Sequence, residues 1–219
     1  MALPLPPRAE VLMRLNHSKP LLTAAVFALV SLLLLPAPLL AQEALPEILS
    51  EHNATRMDTN ATGMLVLGGW AAANMASGTA GWILAEDERW KSFHQMNLMW
   101  NTVNAAIAIG GYIGNTNKDP ASFGLAATLD ESFGMSTILA LNIGLDVGYM
   151  AAGAYMWERG RRIESDRWRG WGQSVIAQGA FLFVFDIALL RINGKLNDSL
   201  LQRIEPIISP DQVGMLLHF

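Results

Sequence analysis

The chain has 219 residues, 52% of them hydrophobic and 16% charged, with a formal net charge of -4. That balance is more apolar and less charged than a soluble domain, and it leaves nucleic-acid binding no basic surface to stand on. Cysteine is absent, which excludes disulfides, thiolate metal sites, iron–sulfur clusters, covalent haem attachment and cysteine catalysis together.

Residues 1–41 read as a signal peptide. Arg14 and Lys19 form a basic n-region, Leu21–Leu35 is a continuous apolar run, and Pro36-Ala37-Pro38 breaks a helix there. Leu39-Leu40-Ala41 then offers a cleavage site before Gln42, the alternative being an uncleaved anchor helix. Residues 1–10 are Pro-rich and do not suit an n-region, so Met13 is an alternative start. Residues 42–61 follow as a short exported segment, with a brief surface helix expected around Leu45–Leu49.

Residues 62–192 carry four long apolar stretches: Thr62–Ala85, Phe93–Gly114, Phe133–Trp157 and Trp171–Ile192. Each is long enough to cross a hydrocarbon core of about 30 Å, which takes a helix of about 20 residues. Residues 193–219 form a short exported tail, with a second surface helix expected over Leu196–Ile204 and stopped by Pro206 and Pro210. The final Val213–Phe219 alternates loosely, as the last strand of an outer-membrane barrel does. A barrel needs alternating strands throughout, and this chain has continuous apolar blocks instead. The expected fold is all-α: an integral membrane four-helix bundle preceded by an N-terminal signal peptide.

Two cues orient the bundle. Export of Gln42 places the third connection, Glu158–Arg169, in the cytoplasm, and it holds Arg159, Arg161, Arg162, Arg167 and Arg169, as the positive-inside rule requires. The Asn115–Glu131 loop has one cation, Lys118, and falls outside. Trp82, Trp90, Trp157, Trp168 and Trp171 then collect at the cytoplasmic boundary, where amphipathic rings settle. A faint repeat at an offset of 75 residues aligns Asn74–Trp82 with Tyr149–Trp157. It fits either a duplicated hairpin or convergence on small-residue packing.

Each stretch also carries polar residues on one face. Spacings of three, four and seven share a helix face, which aligns His94, Asn97, Asn101 and Asn104 in the second span. In the third span the aligned residues are Asn142, Asp146, Tyr149 and Gly153, and in the first Trp70, Asn74, Ser77, Gly78 and Gly81. The fourth contributes Asp186. Lipid cannot satisfy these groups, so they turn inward. Asn74, Asn104 and Asp146 lie about ten residues from the cytoplasmic end, roughly 16 Å deep at about 1.5 Å per residue, and predict one cluster near the midplane. Asn142 and Asp186 predict a second level about one turn further out. The Gly69, Ala73, Ser77, Gly81 and Gly144, Gly148, Ala152 ladders predict close-packing seams.

These groups serve either as interhelical glue or as ligand contacts. Asp146 is the sharpest case, because a carboxyl group at midplane has to be paired, protonated or bound to a cation. No Lys or Arg lies within a span to pair it, and Arg191 sits at the outer boundary. Asp186 lies nearer the exported face. His94, at the cytoplasmic edge, is a candidate proton relay or metal or haem ligand beside Met96 and Met99, or an interfacial histidine satisfied locally. Bis-His haem is excluded within one chain, and no catalytic or paired-histidine metal motif is present.

The phrases His94-Gln-Met-Asn97-Leu-Met-Trp-Asn101-Thr-Val-Asn104 and Leu141-Asn-Ile-Gly-Leu-Asp146-Val-Gly-Tyr149-Met resemble those of an uncharacterised family of small bacterial membrane proteins. The resemblance spans roughly Gly63 to Ile192. It implies a four-span helical protein with no assigned activity, hence a multi-pass protein of the bacterial inner membrane with both mature termini on the exported side.

The expected function is binding or conduction of an ion, proton or small polar ligand at the intrabundle cluster. Asp146 would be its centre, with Asn74, Asn101, Asn104, Asn142 and Tyr149 around it and His94 and Asp186 as outlying members. The alternative is a non-catalytic structural or accessory subunit, in which the same residues only hold helices together. The expected partners are the lipid bilayer and a further copy or membrane protein. No cofactor is identified.

Overall fold

The computed structural model describes residues 37–208, which form four long helices: α1 (Ala37–Leu84), α2 (Glu88–Thr116), α3 (Leu125–Arg162) and α4 (Asp166–Ile208). A single 3₁₀ turn, Pro120–Ser122, links α2 to α3, and no strand occurs among the described residues. Of the signal segment expected over residues 1–41, residues 1–36 lie outside the described residues and the rest open α1; the alternation at Val213–Phe219 also lies outside them. Among the described residues, those from Leu45 onward form one compact unit.

Short connections make sequential helices antiparallel. Asp87 caps α2, its carboxylate accepting from Arg89 N and Trp90 N at 3.0 Å each. At the end of α3 the Ile163 N–H donates to Arg159 O, and Glu164 takes a left-handed φ of 53°, uncommon for a side chain of this kind. The chain thereby turns into α4 within three residues. The bundle has a lower end holding these two tight connections. Its upper end is where α1 and α3 begin and α4 finishes.

Glycines set the helix registers. A Cβ on Gly172 of α4 would lie 2.5 Å from the carbonyl oxygen of Gly153 on α3, and one on Gly153 would lie 2.8 Å from Gly172 O. Backbone therefore meets backbone at that crossing. Gly179 sits against Asp146 O, and Gly78 of α1 against His94 O of α2, where a Cβ would approach to 2.9 Å. Gly78 and Gly153 are the matching positions of the 75-residue repeat, and each forms the tight crossing of its own hairpin. The expected Gly144, Gly148, Ala152 seam is corrected: Gly144 and Gly148 meet nothing within 4 Å, and all three residues are exposed. Gly69 likewise touches nothing, whereas Gly78 and Gly81 pack against α2 at His94.

α4 is the spine, packing along α3 and on α2, while α2 and α3 scarcely touch each other. Burial is inverted relative to a soluble bundle. The fully enclosed side chains include Arg56, Gln178, Asn53, Asn60, Asn101 and Asn193. Leu65, Val103, Ile107, Leu141, Val147 and Val184 point outward.

By length and composition α3 and α4 are able to cross a membrane. α2 is long enough but carries His94, Gln95, Asn97, Asn101 and Asn104 within three turns, which dilutes its apolar content. The two exported ends are not separate short helices. Residues 42–61 are the opening turns of α1, and residues 193–208 continue α4 without a break, Pro206 included. At about 1.5 Å per residue α1 is about 72 Å long, so it outreaches a bilayer core of about 30 Å.

Candidate functional site

The polar face of each helix turns inward, but the groups divide into separate layers instead of one cluster. In the lower half, Gln178 of α4 ties three helices together. Its amide nitrogen donates to Asn97 Oδ1 of α2 at 2.9 Å and to Asn74 Oδ1 of α1 at 3.3 Å. Its Oε1 accepts from Trp70 Nε1 at 2.9 Å. Ser174 adds a hydroxyl donated to Asn97 Oδ1 at 2.6 Å, and the Trp70 ring stacks on Phe181 at 3.9 Å. Asn101 donates to Asn97 O and accepts from Asn104 Nδ2, extending this layer upward along α2.

Above it the separation of α2 from α3 leaves a cavity of about 540 Å³. α4 supplies its floor through Leu182, Phe185, Asp186 and Leu189, α2 and α3 its two walls, and α1 its back through Asn60, Met64 and Leu67. Trp100 and Tyr149 meet edge to face at 4.9 Å across the gap, bridging the two walls. The polar lining includes Asn104, Asn142, Asp146 and Asp186. Asp146 and Asp186, 2% and 6% exposed, bring their carboxyl groups within hydrogen-bonding reach of each other. A bond between two carboxyl groups contains a proton, one oxygen donating and the other accepting. Asp146 Oδ2 is buried and accepts from no N–H or hydroxyl of another residue.

The expected one-turn offset between Asp146 and Asp186 does not keep them apart. A helical side chain leans toward the N-terminus of its own helix. α3 starts at the upper end and α4 at the lower, so Asp146 leans up while Asp186 leans down, and the carboxyl groups meet. Asn104 and Asn142 join them on the cavity wall, and Tyr149 stands at its rim. Asn101 and Asn74 belong to the layer below. His94 is in neither place: its ring fills the space a Cβ would need at Gly81 and packs edge-on to Phe93 at 5.4 Å.

The upper end holds a third polar layer that sequence reasoning missed. His52 Nε2 pairs with Ser132 Oγ at 3.0 Å, Asn53 donates to Thr128 Oγ1 at 2.8 Å, and Asn197 donates to Ser132 O and Ser136 Oγ at 3.2 Å. Arg56, 2% exposed, faces Glu131 at 3.6 Å and donates to Asn53 Oδ1. Leu49, Leu200 and Ile204 close this end with a small apolar core. Burial lowers the His52 pKa from its ordinary value, and the positive charges of Arg56 and Arg203 lower it further. Burial also lowers that of Arg56, against the pull of Glu131. The apolar spacing of Leu45 with Leu49 and of Leu196 with Leu200 was the available signal.

Comparison with known proteins places the chain without assigning it a reaction. No curated protein and no solved structure matches it. The model of a family of unknown function, DUF6992, matches residues 66–187, a span that contains the lower polar layer and both cavity carboxyl groups. More than half of the chain lies within that match, and the protein belongs to the family of unknown function DUF6992.

Proposed function

We propose that this is a four-span protein of the bacterial inner membrane that binds a ligand through a cationic or hydrogen-bond-donating group at the Asp146–Asp186 pair. The observation that carries the reading is the meeting of two buried carboxyl groups, Asp146 and Asp186, on the wall of a 540 Å³ cavity whose lining holds no Lys, Arg or His. Carboxyl groups held in a low-dielectric interior without a cationic side chain are costly, so their retention points to an occupant. Both mature termini lie on the exported side in this reading, supported by the five arginines of residues 158–169 at the lower end. The outward apolar girdle supports insertion of all four helices.

The test is thermal unfolding of the detergent-purified protein with sodium, calcium, ammonium and alkylammonium salts, in the wild type and in Asp146→Asn. A ligand at a hundred times its dissociation constant stabilises by about 2.7 kcal/mol. At least one cation raises the wild-type midpoint, and the rise disappears in Asp146→Asn. A panel with no cation acting through Asp146 overturns the proposal.

The structural alternative draws on a different layer. Gln178, Asn97, Asn74, Ser174 and Trp70 are bonded to one another across α1, α2 and α4. That is the arrangement of interhelical glue, and it holds the lower bundle beneath the cavity.

A further inference from the structure

We infer that the occupant is a single-chain aliphatic ammonium that enters sideways from the bilayer between α2 and α3. The inference rests on the reading of the Asp146–Asp186 cavity as a binding site, and it adds the chemical class of the ligand and its route.

The charge of the head follows from the lining. Two carboxyl groups line the cavity and none of its lining residues is Lys, Arg or His, so nothing from α1, α2, α3 or α4 neutralises them there. The other polar lining residues include Asn60, Asn104, Asn115 and Asn142, whose amide oxygens are able to accept from an ammonium. An anionic or purely acceptor head would face acceptors only at the carboxyl pair. An ammonium brings three N–H donors, for the carboxyl oxygens of Asp146 and Asp186 and for a neighbouring amide oxygen.

The tail follows from the walls and from where they open. Met99, Val103 and Ile107 on α2 face Ile138, Leu145 and Tyr149 on α3 along the gap. Each of the six is 37–60% exposed while also lining the cavity, so the opening lies on the flank of the bundle and not at an end. That flank lies within the apolar girdle, where only an apolar body escapes a transfer penalty. The cavity volume is within the range of about 300–1,000 Å³ that holds drug-sized ligands, enough for one aliphatic chain with its head on the floor. A small hydrated cation would leave most of this apolar wall without contacts.

The experiment is native mass spectrometry of the full chain in nonionic detergent, with decylamine, methylamine, decanol and decanoate as probes. Decylamine forms a one-to-one adduct at concentrations where the other three form none. Asp146→Asn weakens that adduct by about tenfold or more, the consequence of removing one partner of a desolvated charge pair. Ile138→Trp, at the exposed mouth, fills the opening and abolishes the adduct while leaving the carboxyl pair in place. Equal binding of methylamine and decylamine, both lost in Asp146→Asn, overturns the inference and leaves the carboxyl site standing. Decylamine retained undiminished in Ile138→Trp also overturns the lateral route. Decanol or decanoate binding as well as decylamine, or no adduct with either amine, overturns the inference, and the binding site then stands or falls with the sodium and calcium arms of the thermal test. Decylamine indifferent to Asp146→Asn overturns the binding site and the inference together.

Discussion

Replacing Gln178 with leucine separates the two roles assigned to the buried polar groups. Gln178 is 1% exposed and makes three side-chain hydrogen bonds, to Trp70, Asn74 and Asn97, so its loss removes three of the bonds that tie α4 to α1 and α2. Leucine has a similar volume, and the change therefore tests bonding more than packing. Side-chain hydrogen bonds in membrane bundles average about 0.6 kcal/mol and reach about 1.7, so three amount to about 2–5 kcal/mol. The middle of that range is expected, because Asn97 Oδ1 keeps the Ser174 hydroxyl while the Trp70 Nε1–H loses its acceptor. Asp146→Asn is the control. It preserves shape and its amide is able to donate to Asp186 in place of the shared proton, so stability stays level or rises. The assay is unfolding by sodium dodecyl sulfate from a nonionic detergent, followed by far-ultraviolet circular dichroism. Equal losses in the two variants would refute the division into a glue layer and a site, and so would an Asp146→Asn variant less stable than Gln178→Leu.

Two further outcomes follow from packing and charge. Gly172→Ala places a Cβ 2.5 Å from Gly153 O and from Trp157 N, so the α3–α4 crossing has to open; overpacking of about 1–3 kcal/mol outweighs a helix-propensity gain of about 1. Gly144→Ala meets nothing and stabilises by up to about 1 kcal/mol, and the same unfolding assay ranks the pair on either side of wild type. At the upper end, His52 has a folded pKa below its unfolded value, so the unfolded chain binds the proton more readily. Its contribution is complete above about pH 6.5 and is lost as pH falls through the lowered folded value. Thermal midpoints at pH 7.5 and pH 5 are expected to diverge less in His52→Gln than in wild type; an unchanged difference counts against this origin.

The apolar helical stretches and the polar stripe on each are legible in the chain, because a 3.6-residue period is a local property. The stripes His94–Asn104 and Asn142–Gly153 needed no tertiary information, and the family resemblance added none about chemistry. Which stripes meet depends on how the helices pack. Depth counted from the span ends put Asn74, Asn104 and Asp146 together. The register is instead set where backbones touch, at Gly78 on His94 O and at Gly153 on Gly172 O, and those crossings assign Asn74 to Gln178 and leave Asp146 to Asp186. Gly144 and Gly148 have the spacing of a seam but face outward, since a ladder of small residues does not specify the face a partner takes. The upper polar layer joins residues as far apart as His52 and Ser132, each unremarkable in its own segment, and becomes a unit only when α1, α3 and α4 extend past the apolar stretches. The cavity has the same origin: it lies between α2 and α3, and no local pattern in either helix records that the two stand apart.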